Sequence, residues 1–354
     1  MSKNLSNKIF DNPFHTFVIA EAGSNWKCGT REEDMHQAQN LVKTAAKAGA
    51  DAIKFQTYRP ESMYVSEAGR SDYFSKHGIH QDINDLIGKL SMPYDMIPQL
   101  ENYCKKEEII FMSTPFSVQD AMEVNPFVQI HKVASFEINH VRLLEYLADT
   151  KKPILISTGA SAYDEIDFAI KVVKDRGNDN LGLLQCTSKY PASLESLNLA
   201  AIPAMRSRYS LPIGFSDHSM EPVIAPVLAV GLGATIIEKH FTLDRHLPGP
   251  DHQFALIPSE LELMIKSVRS AEKAKGNSIK QVFPEELELR RFATRSLQAI
   301  KNIPKGEILQ EGVNFDILRP GNRLRGLDAR FLSVVNGKRS KIDVKKGDGI
   351  TEFE

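Results

Sequence analysis

Short apolar runs recur along the chain, each ending in polar residues and each followed by a segment of helical periodicity. Phe17 to Ala20 ends in Glu21 and leads into a polar loop, Ala22 to Gly29. Glu32 to Ala48 then places apolar residues at helical spacing and stops at Gly49, a residue type that closes helices. The alternation restarts at Ala52-Ile53-Lys54-Phe55-Gln56-Thr57. It continues with Ile109 to Met112 before Ser113-Thr114-Pro115-Phe116, Val128 to Ile130 before Lys132 and Ser135, and Pro153 to Ile156 before Ser157-Thr158-Gly159. Leu181 to Leu184 precedes Cys186, Leu211 to Phe215 precedes Ser216-Asp217-His218, and Ala234 to Ile237 precedes Glu238-Lys239-His240. Between the last two runs lies an apolar stretch of helical spacing opened by Met220-Glu221-Pro222, where proline suits a first helical turn.

Apolar strands alternating with helices predict a parallel sheet covered by those helices. Eight such units in roughly 270 residues fit an α/β fold of the (β/α)8 TIM-barrel type. A doubly wound open sheet would carry a glycine-rich dinucleotide turn after its first strand, and Glu21-Ala22-Gly23-Ser24-Asn25 is not one. The connection from Tyr58 to about Pro93, with Tyr64, Tyr73 and Phe74, shows little regular pattern and reads as a functional lid. Composition shifts after Lys275. Residues 1–275 are expected to form the barrel, 276–290 a linker, and 291–354 a small, mostly-β domain. In that tail Ile303-Pro304-Lys305-Gly306-Glu307-Ile308 and Val344-Lys345-Lys346-Gly347-Asp348-Gly349-Ile350 look like two copies of one turn. About 65 residues bury little core alone, so the tail is expected to dock against something.

Charge narrows the partners. With 44 basic and 45 acidic residues the net charge is −1, so no basic field attracts nucleic acid or an acidic membrane surface, and any cationic site must be local. No apolar run reaches the length of a membrane span. The residues before Phe17 lack the apolar core of a signal peptide. Cys28, Cys104 and Cys186 show neither a disulfide framework nor a zinc spacing. A cytoplasmic protein is the expectation.

In a barrel the chemistry sits at the C-terminal strand ends. The polar residues there are Glu21, Lys54, Gln56, Ser113, Thr114, Lys132, Ser135, Ser157, Ser188, Tyr190, Ser216, Asp217, His218, Glu238 and His240. Two lysines with several hydroxyls make an anion-binding set, most naturally for phosphate. A lysine is also a candidate for Schiff-base chemistry. His218 and His240, on neighbouring strand ends, can share one metal ion. Glu238 and His240, two residues apart on a strand, aim the same way, and a Pro248-Gly249-Pro250-Asp251 turn follows.

These blocks resemble the sialic acid synthase family, which makes nonulosonic acids. The resemblance rests on Ile19-Ala20-Glu21 with Asn25, Gly49-Ala50-Asp51, Lys54 to Thr57, Ser113 to Ser117, Ser157 to Gly159, Cys186 to Pro191, Ser216 to His218, Glu238 to Thr242 and Pro248 to Asp251. The tail resembles the family's antifreeze-like (SAF, β-clip) domain, most clearly at Arg319-Pro320-Gly321-Asn322. The resemblance implies condensation of phosphoenolpyruvate with an N-acyl amino sugar such as N-acetylmannosamine or a 2,4-diacetamido hexose, with release of phosphate. It implies a divalent metal on His218 and His240, Mn²⁺ by family habit, with Mg²⁺ or Co²⁺ as alternatives. It implies phosphoenolpyruvate contacts at Lys54, Thr114, Lys132, Ser135, Ser157, Ser188 and Ser216, and a carboxylate near C2 at Glu238. Glu21, Gln56, Tyr190 and Asp251 would surround the sugar and its aldehyde. Arg319 would reach a partner's barrel in a domain-swapped homodimer. Three departures bear on the sugar: Trp26 stands where histidine is usual and would add an aromatic wall, Phe136 replaces a glycine and would narrow the space, and Ser188 replaces an asparagine. Another metal-dependent phosphoenolpyruvate aldolase acting on a phosphorylated sugar would need a second basic cluster, which is not found. A non-catalytic sugar-binding module would have no need of Glu238 and the paired histidines.

Overall fold

The computed structural model describes residues 12, 14–70 and 80–354. Tyr73, Phe74 and most of the segment before Phe17 lie outside the described residues. The chain divides into two compact units, Met1–Asn277 and Ser278–Glu354.

In the first unit eight strands form one parallel sheet. They are β1 (Phe17–Gly23), β2 (Ala52–Thr57), β3 (Ile110–Pro115), β4 (His131–Val133), β5 (Ile154–Ser157), β6 (Leu181–Cys186), β7 (Ile213–Asp217) and β8 (Ile236–His240). The order is β3-β2-β1-β8-β7-β6-β5-β4. β1 pairs in parallel with both β2 and β8, and β3 and β4 lie side by side, so the sheet rolls into a nearly closed barrel.

Strand periodicity explains how one sequence builds both core and site. Phe17, Ile19, Ala52, Met112, Ile130, Leu155, Leu184 and Ile236 pack into one buried cluster inside the barrel. Two residues further along each strand the same inward column turns polar: Glu21, Lys54, Thr114, Lys132, Ser157 and Glu238. The opposite parity, Val18, Ala20, Ile53, Phe55, Phe111, Ile156 and Ile237, packs outward against the helices. Gly214 is required by this packing, since a Cβ there would meet Leu184 at 2.5 Å and the Ile236 carbonyl at 2.6 Å.

Helix α1 (Arg31–Ala48) starts with a reciprocal cap between Thr30 and Glu33 and ends at Gly49 with φ 90°. The segment between His218 and β8 differs from expectation. Its helix begins at Ile224, leaving Pro222 outside, because the Glu221 carboxylate accepts from the Val223 and Ile224 N–H groups and itself caps the end. The Tyr58–Pro93 connection is also more regular than expected. It carries α2 (Pro60–Met63) and α3 (Ile83–Leu90), the latter capped by Asp82, which accepts from the Asn84 N–H.

The second unit contains an antiparallel pair, β9 (Ser296–Ala299) and β10 (Phe315–Leu318), over a core that includes Leu297, Ile303, Leu309, Phe315, Val344 and Ile350. The two similar turns pair with each other: Ile303 and Val344 exchange backbone hydrogen bonds of 2.8 Å each way. The stretch read as a linker carries a helical turn at Pro284–Glu286 and a short helix at Leu287–Ala293. Proline at the first helical position and Glu286, which accepts from the Phe283 N–H, favour that turn.

At the foot of the barrel Asp51 accepts from the Val18 N–H at 2.9 Å and pairs with Arg269 at 2.8 Å and His15 at 3.0 Å. Burial opposes its charge, but the His15 and Val18 hydrogen bonds, with Arg269 beside them, outweigh burial and hold the carboxyl below the usual range. A depressed carboxyl contributes stability above its unfolded pKa of about 3.9 and loses it as pH falls through the lower folded value. Asp51→Ala is therefore expected to destabilise the protein at neutral pH. Breaking a buried pair costs ~3–5 kcal/mol, and the part-exposed Arg269 puts this case at the low end. Thermal midpoints of variant and wild type, wide apart at pH 7, should converge as pH falls below 4. A constant gap would refute the ionic origin.

Candidate active site

The polar layer on top of the barrel interior encloses a cavity of about 470 Å³, within the size range of small-molecule sites. Its floor is one carboxylate between two ammonium groups. Glu238, on β8, lies 3.8 Å from Lys54 of β2 and 3.8 Å from Lys132 of β4, and accepts from the Ser216 hydroxyl at 3.1 Å. Lys54 also lies 2.5 Å from Glu21 and donates to Thr114 at 2.9 Å. Lys132 donates to the Ser157 hydroxyl at 2.7 Å and to the Val133 carbonyl at 3.0 Å. All of these side chains are buried.

The electrostatics follow from that crowding. Burial works against the charge on Glu238, yet Lys132 and Lys54 outweigh it and hold the carboxyl below its ordinary value. Burial likewise opposes the charge on Lys54, which Glu21 and Glu238 restore, so this group stays an ammonium. Lys132 has a single near acid and is pushed down by burial in spite of it. Glu21 is pushed up to about 7 by burial, against the pull of Lys54 and with the help of the Glu238 charge. Gln56 donates to Glu21 at 2.9 Å.

Three further groups complete the walls. The Ser135 hydroxyl accepts from the Gly159 N–H at 2.9 Å, with Ser188 beside it: a Cβ on Gly159 would meet both hydroxyls within 2.8 Å. Asp251 accepts from the Ser24 hydroxyl at 3.0 Å, and burial raises its carboxyl above the usual range. His218 and His240 have ring centroids 5.5 Å apart, and Tyr190 stacks on His218 at 4.1 Å. Ser188 Oγ, Glu238 Oε2 and His240 Nδ1 are buried and have no hydrogen-bond partner among the described residues, which a bound ligand can supply.

The histidine pair suits a metal ion. Burial brings His218 down to about 4 and holds His240 well below its ordinary value, so both rings are neutral, the form that ligates metals. His218 Nδ1 donates to the Thr187 carbonyl at 2.8 Å, which leaves Nε2 with the lone pair. Among the described residues no group of three or more His, Cys, Asp or Glu side chains is arranged to hold a metal ion, so the pair would supply two ligands and other oxygens the rest. Behind them, on the outward parity of the strands, Lys239 pairs with Asp217 at 2.6 Å and binds the Ser219 and Glu221 carbonyls, which ties the His218 loop to β8.

Most of the residues singled out in the sequence therefore meet in this cavity: Glu21, Lys54, Gln56, Thr114, Lys132, Ser135, Ser157, Ser188, Tyr190, Ser216, His218, Glu238, His240 and Asp251. Ser113 and Asp217, on the opposite strand parity, do not line it: Ser113 bonds the Thr57 hydroxyl at 2.7 Å and Asp217 pairs with Lys239 at 2.6 Å. Arg319 belongs to the second unit, exposed at the Pro320–Gly321 turn. Phe136 lines the cavity from an exposed position. Trp26 does not. It is buried in the helix-side core, because the loop after β1 folds back on itself, with Asn25 N–H on the Ala22 carbonyl and the Asn25 side chain on the Phe241 carbonyl. The connection from Tyr58 to Pro93, expected to be functional, lines the cavity with Tyr58, Met63, Tyr64, Leu86, Ile87 and Leu90, while Ser24, Cys186 and Phe254 are cavity residues not foreseen. Tyr58 and Cys186 stand at strand ends and were legible on that ground.

A profile of the NeuB family matches residues 41–280. The chain is 36% identical to the spore coat polysaccharide biosynthesis protein SpsE of Bacillus subtilis (strain 168), over 98% of this chain and 95% of that protein. The crystal structure of SpsE superposes with a TM-score of 0.63 over 95% of this chain and 94% of the other. A pseudaminic acid synthase of Campylobacter jejuni (serotype O:23/36) is 35% identical over 98% of each chain. An N,N'-diacetyllegionaminic acid synthase of Campylobacter jejuni (serotype O:2) is 34% identical over 93% of this chain and 98% of that one.

Proposed function

The chain belongs to the NeuB family, and from that membership and the furnished cavity we propose that it is a nonulosonic acid synthase. It joins C3 of phosphoenolpyruvate to the aldehyde carbon of an N-acyl amino sugar and releases phosphate. The observation that carries the reading is the floor, where one buried carboxylate is held between two buried ammonium groups at 3.8 Å each. That arrangement binds an anion and places a negative charge where positive charge develops.

Lys54 and Lys132, with the hydroxyls of Thr114, Ser135, Ser157, Ser188 and Ser216, hold the phosphate and carboxylate of phosphoenolpyruvate. When the enol electrons attack the aldehyde, C2 becomes cationic, and Glu238 faces it. Water adds at C2 and its proton passes to Glu238. The tetrahedral C2 then breaks its bond to the phosphate oxygen while its hydroxyl proton passes to the departing phosphate, leaving a 2-keto acid and inorganic phosphate. Glu21, pushed up to about 7, is placed to give a proton to the oxygen of the former aldehyde, with Gln56, Tyr190 and Asp251 orienting the sugar. A divalent ion on His218 and His240, Mn²⁺ being the first choice, would supply Lewis-acid polarisation of that oxygen when bound. The charge kept on Lys54 counts against a Schiff base there, since only a free amine attacks a carbonyl.

Arg319 is proposed to complete the site of a second copy, in a homodimer. Its support is the family resemblance and its exposure on a turn where it makes no ion pair within its own unit among the described residues. Native mass spectrometry tests it, and a monomer at working concentration would remove this role. The function itself is tested by phosphate release from phosphoenolpyruvate in the presence of Mn²⁺ and an N-acyl amino sugar. Release that depends on the sugar supports it, and its absence with every acceptor refutes it.

A further inference from the structure

Two charged side chains sit where the barrel is otherwise uncharged. Along the strands the outward positions meet the helices with apolar or neutral side chains, such as Ile53, Phe111, Ile156 and Phe215. The exceptions are Asp217 of β7 and Lys239 of β8, which are register partners and pair at 2.6 Å. With side chains 0% and 1% exposed they form the most buried ion pair among the described residues, and neither lines the cavity. Stability alone does not account for them. An apolar pair of similar volume in such a place is often neutral or stabilising, because the desolvation of two charges offsets their attraction.

Their bonds point to the histidines. Asp217 immediately precedes His218, and Lys239 immediately precedes His240. His240 lies inside β8, in register with Glu21 of β1, so the sheet itself places it. His218 lies one residue past the end of β7, where strand pairing no longer holds the chain. The chain leaving β7 is fastened instead to Lys239. Besides Asp217, that ammonium donates to the Ser219 carbonyl, to the Ser219 hydroxyl at 3.1 Å and to the Glu221 carbonyl at 3.1 Å. Asp217 in turn accepts from the Ser219 N–H at 2.7 Å. On its other side His218 is bonded to the β6 loop, through the Thr187 carbonyl and the Ala192 N–H. Lys239 thus links the residues that flank His218 to the strand that carries His240.

Resting on the metal reading above, we propose that Lys239, held by Asp217, is a positioning residue of the metal centre. It sets the separation of the two imidazoles, 5.5 Å between centroids, that would share the ion. Side chains outside the ligand sphere fix how ligands are presented, and losing one costs about 10–100-fold in metal affinity.

The experiment titrates Mn²⁺ calorimetrically into the full-length wild type, Lys239→Met, and the double variant Asp217→Asn with Lys239→Met. The single variant leaves Asp217 as an unpaired buried charge. The double variant removes both charges at similar volume and keeps an oxygen that accepts from Ser219. Binding is compared at a temperature where circular dichroism shows each protein folded. The expected result is a Mn²⁺ dissociation constant about 10–100-fold higher in the double variant. The phosphoenolpyruvate KM at saturating Mn²⁺ should change far less, because Lys54 and Lys132 do not bond to the pair. Asp51→Asn, which weakens the foot of the same barrel, should leave Mn²⁺ affinity unchanged. Unchanged affinity in the folded double variant, or an equal loss in Asp51→Asn, would overturn the proposal. So would a double variant that does not fold, which would make the pair a requirement of the fold and not of the centre. A wild type that binds no Mn²⁺ would overturn the metal reading itself, so the two failures are distinguishable.

Discussion

Glu238→Gln is expected to lower kcat by roughly 10²–10⁴, the range lost with a general acid–base or charge-stabilising group. Glutamine keeps the shape and the contact with Ser216 but removes the charge that faces C2 and the site that takes the proton from water. The phosphoenolpyruvate KM should change far less, because Lys54 and Lys132 remain. The variant also leaves two buried ammonium groups without their shared counter-ion, since Glu238 lies 3.8 Å from each. Some loss of stability is therefore expected, and kcat must be compared at a temperature where circular dichroism shows both proteins folded. Under those conditions a fall of less than tenfold would remove Glu238 from the chemistry.

His218→Ala and His240→Ala are expected to abolish metal binding and turnover together. The pair is one feature: two neutral rings 5.5 Å apart between centroids, one of them oriented by the Thr187 carbonyl. Loss of an outer partner alone costs about 10–100-fold in affinity, so loss of a ligand should exceed that. Calorimetric titration with Mn²⁺ reads the effect without reference to activity, and EDTA treatment of the wild type should mimic it in the assay. Full activity after EDTA treatment, or unchanged Mn²⁺ affinity in either variant, would refute the metal role.

Much of this was legible from strand periodicity. The positions two residues beyond the apolar pairs Phe17/Ile19 and Ala52 are Glu21 and Lys54, and those beyond Leu155 and Ile236 are Ser157 and Glu238, so the residues that carry chemistry follow from the column that builds the core. Other features depend on where loops fold, which periodicity does not report. Trp26 follows Asn25 in sequence, yet the turn after β1 carries it to the helix side. Pro222 looked like a helix opener, but Glu221 next to it has the carboxylate that caps. The part of the cavity wall that α3 supplies was readable in the spacing of Ile83, Leu86, Ile87 and Leu90 after Asp82. It was obscured by the length of the connection around it, and its contact with the cavity arises only once β2 and β3 lie side by side.

The most direct test of the account follows one atom. Phosphoenolpyruvate carrying oxygen-18 between C2 and phosphorus is incubated with the protein, Mn²⁺ and an acceptor sugar, and the released phosphate is weighed by mass spectrometry. Because C2 gains its new oxygen from water before the C2–O bond breaks, the account predicts that the phosphate keeps the label and that the nine-carbon keto acid carries none at C2. Unlabelled phosphate, which requires attack at phosphorus, or release that ignores the acceptor, would contradict it.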